Sequence, residues 1–131
     1  MRTNRIGRVA AVLVGLEGAG LVALAVWQIF AIVAGDTASI DSALALIVLT
    51  AVGAAAVIAF AIAIWRGRSW GRSGAIVTQL LILAVALGAA TGAYAEPEVA
   101  LAIAAPAVVT LVLLVLAVRE AGRESRDEAS V

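Results

Sequence analysis

Residues 9–34 read VAAVLVGLEGAGLVALAVWQIFAIVA, an apolar run interrupted by a single charge, Glu17. The run is too long for a strand and shows no alternation of apolar and polar positions. As a helix rising 1.5 Å per residue it reaches about 39 Å, more than the roughly 30 Å of bilayer hydrocarbon. Three further runs of this kind follow at 43–65, 74–94 and 99–118, and none of them contains a charge. Hydrocarbon offers the backbone no hydrogen-bonding solvent, so segments of this length must bond internally as helices. The chain is therefore expected to be all-α. It would form a polytopic bundle of four transmembrane helices over 1–118, with a charged tail over 119–131.

Composition agrees with that class. The 131 residues are 64% hydrophobic and 14% charged, with a mean hydropathy of +1.13. Soluble domains run near half apolar and about a quarter charged. Cysteine, histidine and lysine are all absent. Disulfides, thiol nucleophiles and soft metal sites are thereby excluded.

The net charge of zero conceals an uneven distribution. Arg2, Arg5 and Arg8 precede the first run, and Arg66, Arg68 and Arg72 lie between the second and third. Arg119, Arg123 and Arg126 follow the fourth. The other two connections carry only acids: Asp36 and Asp41, then Glu96 and Glu98. The positive-inside rule places both termini and the central loop in the cytoplasm of a cell that carries the chain in its inner (plasma) membrane. Trp27, Trp65, Trp70 and Tyr94 fall near run ends, where amphipathic rings favour the headgroup zone. Pro97 suits the first turn of a helix. Pro106, inside the fourth run, removes one backbone bond and predicts a modest kink. The first run is about twice the length of a signal peptide's apolar core, which favours a retained helix. In the tail, Glu120–Arg123 and Arg123–Asp127 have helical spacing, so the fourth helix is expected to extend beyond the membrane.

Carboxyls in hydrocarbon are costly, usually face a bundle interior, and often carry function. Helical rise places Glu17 about 13 Å beyond Arg8, Gln79 about 10 Å beyond Arg72, and Thr110 about 13 Å before Arg119. These residues, with Thr78 beside Gln79, are expected to form a polar layer at one depth, with Glu17 hydrogen-bonded to Gln79 or Thr110. Such a layer fixes helix register, or else supplies a proton-linked or cation-binding carboxyl. Gln28 lies close to three turns beyond Glu17 and shares its face. Small residues recur every fourth position at Ala11, Gly15, Ala19 and Ala23, and again at Ala84, Gly88 and Gly92. Stripes of this kind allow close helix approach, within one chain or between protomers.

Residues 65–72, WRGRSWGR, form a compact arginine–tryptophan patch. Arg66, Arg68, Trp70 and Arg72 anchor the interface or bind anionic lipid headgroups. A patch held at the bilayer surface does not suit nucleic acid. No catalytic constellation, cofactor motif or metal-ligand cluster is present in the sequence. The expected partners are the lipid bilayer and a second copy or another membrane subunit.

Residues 70–81, WGRSGAIVTQLL, resemble a pattern of small four-helix membrane proteins of actinobacteria. In that pattern a Trp-x-Arg-Ser turn leads into a helix bearing a glutamine. The resemblance implies the four-span plan and no particular activity. Four spans with a lone first-helix glutamate also resemble the small multidrug resistance transporters. There the glutamate alternately binds protons and cationic drugs, a role that would fall to Glu17. The chain departs from that family in its strong topological bias and in lacking a deep aromatic site. The expectation is a non-enzymatic integral membrane protein, acting as scaffold, accessory subunit or lipid-interacting bundle. The alternative is a small proton-coupled transporter using Glu17.

Overall fold

A computed structural model describes residues 4–130. Arg2 lies outside the described residues. The chain forms helices α1 (Asn4–Val33), α2 (Ile40–Trp65), α3 (Ser69–Thr91) and α4 (Pro97–Ala129). All four are long and apolar enough to cross a membrane.

The short connections are built by local chemistry. Two helices end on a left-handed glycine, Gly35 at φ 81° and Gly67 at φ 73°. At the first, Gly35 N–H bonds the Ile32 carbonyl and Asp36 N–H bonds that of Ala31, both at 3.0 Å. At the second, Gly67 N–H bonds the Ile64 carbonyl and Arg68 N–H bonds that of Ala63. This paired arrangement satisfies the orphan carbonyls at a helix end, and a side chain at the left-handed position would be strained. Ser39 caps α2 by accepting from Ser42 N–H at 3.4 Å. Pro97 opens α4, where its missing N–H costs nothing.

Several boundaries differ from the sequence expectation. The central loop shrinks to 66–68, because Ser69 to Ser73 already belong to α3. Trp70 and Arg72 therefore sit on a helix rather than in a loop. The third apolar run extends to Tyr94, but α3 stops at Thr91 and Gly92 caps it. Helix α4 continues through Pro106 and carries the charged tail to Ala129.

Each helix packs against its neighbour in sequence, and α4 closes the ring against α1. Helices α1 and α3 therefore face each other across a diagonal. The centre is made of small side chains, among them Ala10, Ala54, Ala75 and Ala107, with Leu114 and Val14 the largest fully buried apolar ones. Large apolar residues point outward instead, including Leu16, Phe30, Leu49, Leu81 and Leu101. A helix apolar on all sides belongs in a membrane, where lipid covers the outer face. Lipid tails are as apolar as leucine, so close contact and hydrogen bonds, rather than water exclusion, hold such helices together.

Glycines set the closest approaches. A Cβ on Gly71 would lie 2.9 Å from both Ile64 N and the Phe60 carbonyl oxygen. A Cβ on Gly18 would lie 2.7 Å from Ile58 Cγ1. The stripes read from sequence are only partly used. Ala11 and Gly15 face α2, whereas Ala19 and Ala23 are exposed. Gly88 meets nothing within 4 Å. The inward face of α3 runs through Gly71, Ala75, Gln79 and Ala86. Gly88 is nine residues from Gln79, about two and a half turns, so it looks the opposite way.

Candidate functional site

The only charge inside an apolar run meets its partners across the bundle. Glu17 projects from the middle of α1 at half-burial. Gln79 comes from the diagonal helix α3 and is fully enclosed, at 0% exposure, and Thr110 of α4 is at 1%. Gln79 Nε2 donates to Glu17 Oε2 at 2.6 Å. Thr110 Oγ1 stands 3.5 Å from Glu17 Oε1. Each carboxyl oxygen thus faces a polar side chain from a different helix.

Thr110 has one hydroxyl proton and two acceptors within range. Its bond to the Pro106 carbonyl is 2.8 Å, much the shorter of the two. A threonine that bonds back to the carbonyl four residues earlier keeps its oxygen lone pairs free. The hydroxyl can therefore accept from Glu17 when the carboxyl carries a proton, and donate weakly when it does not. Gln79 is similarly adaptable. Its Nε2 serves an ionised carboxylate, and a reversed amide would offer Oε1 to a carboxylic acid. In the observed orientation Gln79 Oε1 is buried without a hydrogen-bond partner.

Thr78 does not join this layer. It is one residue from Gln79, so it points about 100° away around α3. Its hydroxyl donates to the Gly74 carbonyl at 2.9 Å. It borders an apolar groove of about 620 Å³ between α2 and α3, lined also by Leu21, Phe60 and Val85. Gln28 lies near the acidic end of the bundle, in a hollow it shares with Trp27, Asp36, Thr37 and Ser42.

The basic residues gather at the other end. Arg66 and Arg68 are exposed. Arg72 Nη1 donates to the Gly67 carbonyl at 3.4 Å and borders a polar hollow with Glu124, Ser125 and Glu128 of α4. Trp70 meets Phe60 edge to face, with centroids 6.1 Å apart. One contact has no counterpart in the sequence reading: the Arg8 guanidinium lies 5.1 Å from the centre of the Trp65 ring. Fifty-seven positions separate the two residues, and only the α1–α2 hairpin brings them together.

Among the described residues no group of three or more acidic side chains is arranged to hold a metal ion. None of the protein-family models, curated proteins or solved structures compared with the chain matches it.

Proposed function

We propose that this chain is a non-enzymatic multi-pass membrane protein, a scaffold, accessory or lipid-interacting bundle whose intramembrane Glu17 holds helix register. The reading is carried by one observation: Glu17 accepts from Gln79 Nε2 of the diagonal helix at 2.6 Å, with the Thr110 hydroxyl 3.5 Å from its other oxygen. A carboxyl already provided with partners on two other helices serves as an internal fastener. Contacts of this type between membrane helices contribute about 0.6 kcal/mol on average and at most about 1.7. That is enough to select one rotation of each helix over its alternatives. The arginine distribution supports placing both termini and the α2–α3 turn in the cytoplasm.

A second reading, a small proton-coupled transporter, has one observation in its favour. Gln79, which donates to Glu17, keeps a buried Oε1 without a hydrogen-bond partner, an acceptor that a transported donor would satisfy. Glu17→Gln separates the two readings. The new amide retains an oxygen facing Gln79 Nε2 and a size close to the original. The structural reading expects unfolding stability within about 0.5 kcal/mol of the parent. It also expects no pH-driven uptake of ethidium by proteoliposomes of either protein. Uptake by the parent that the variant abolishes, with stability unchanged, would establish the transporter reading instead.

A further inference from the structure

The α1–α2 seam at the arginine-bearing end carries features of a lipid site. A shallow groove of about 400 Å³ is lined there by Ala11, Val12, Ala61, Ile62, Trp65 and Arg66. Its walls are apolar and its mouth is cationic. Arg66 forms one side of that mouth. Arg8 adjoins it through Trp65, a lining residue over whose ring the Arg8 guanidinium sits. The cation–π contact places a guanidinium at the rim while leaving its N–H groups available for an anion. Arg8 of α1 and Arg66, the residue that caps α2, thus flank one tryptophan, the first over its ring and the second next to it in sequence on the same groove.

No carboxylate is among the residues that line this groove. The sequence contains no acid between Asp41 and Glu96. Glu17 is nine residues further along α1, about 13 Å deeper. The acids Glu124 and Glu128 gather with Arg72 in a separate hollow against α4. Below the arginines the groove descends about 6 Å, from Arg8 to Val12 and from Arg66 to Ile62. That is the depth at which a phospholipid passes from its phosphate to its first methylenes.

We infer that this seam binds an anionic phospholipid. The phosphate would sit between Arg8 and Arg66 beside Trp65, with the start of one acyl chain along Ala11, Val12, Ala61 and Ile62. The inference rests on the chain's being embedded in a membrane, and it is independent of the role of Glu17. It also differs from an anchoring patch confined to the α2–α3 turn, because Arg8 comes from α1. Arg68, on that turn, takes no part.

Lipid retention in native mass spectrometry tests the site, using full-length protein in mild detergent. The probes are phosphatidylglycerol and phosphatidylcholine with identical acyl chains. Each arginine near the surface favours an anionic lipid roughly fivefold, so the parent should prefer phosphatidylglycerol by about thirtyfold. The pair Arg8→Gln and Arg66→Gln should fall close to parity. Trp65→Leu, which releases Arg8, should lose a few-fold. Arg123→Gln with Arg126→Gln removes the same charge elsewhere and should keep the preference. Parity in the parent protein would overturn the site, as would equal losses in the two double variants. A chain that fractionates as soluble without detergent would contradict membrane embedding itself, a failure distinct from lipid parity in a detergent-held protein.

Discussion

Glu17 owes its position to partners that lie 62 and 93 residues away in sequence. Much of this cluster was legible beforehand, because polar side chains are conspicuous in an alanine-rich membrane chain and helical rise fixes their depth. Azimuth was less legible. Thr78 and Gln79 share a depth, yet only Gln79 faces α1, and no charge or capping signal distinguishes them in sequence. The partners differ in weight. Gln79→Leu leaves Glu17 without its short 2.6 Å contact and should lower stability by about 1 kcal/mol. Thr110→Val should cost less than about 0.5 kcal/mol, because that hydroxyl is already satisfied by the Pro106 carbonyl. Unfolding in bicelles measures both, and a larger loss for Thr110→Val would reverse the assignment.

At the scale of the helix, sequence fixes length well and rotation poorly. In water a helix betrays its inward face by hydrophobic periodicity. Here lipid lies outside and alanine inside, so both faces read as apolar and small-residue stripes are ambiguous. The stripe through Ala84 and Gly88 illustrates this: Gly88 meets nothing, while Gly71 touches the α2 backbone. The two glycines should therefore respond differently to one added methyl. Gly71→Ala forces α2 and α3 apart and should cost about 1–3 kcal/mol. Gly88→Ala fills open space and gains helix propensity, so it should be neutral or stabilising by up to about 1 kcal/mol. Thermal denaturation of the two variants in the same detergent compares them directly. Equal losses would mean that α3 is rotated from the face described above. The boundary at Thr91 was hidden for a related reason, since Gly92 to Tyr94 remain apolar enough to extend the run after the helix has ended.

For the whole molecule, the antiparallel ring of four helices brings the described arginines to one end and the acidic connections to the other. The absence of cysteine from the sequence makes single introduced thiols clean reporters. Thr37→Cys should react with a membrane-impermeant maleimide in intact cells, and Ser69→Cys should react only after permeabilisation. Labelling of Ser69→Cys in intact cells would invert the topology. The ring also leaves α1 and α3 on a diagonal, where few side chains meet, and the Glu17–Gln79 bond is the polar link that spans it. A double-mutant cycle with Glu17→Ala and Gln79→Ala, read by unfolding in lipid bicelles, tests that link most directly. The structure predicts that the two losses are not additive, with a coupling of about 0.6–1.7 kcal/mol. Strict additivity would contradict it, because Glu17 would then hold its place without help from the opposite helix.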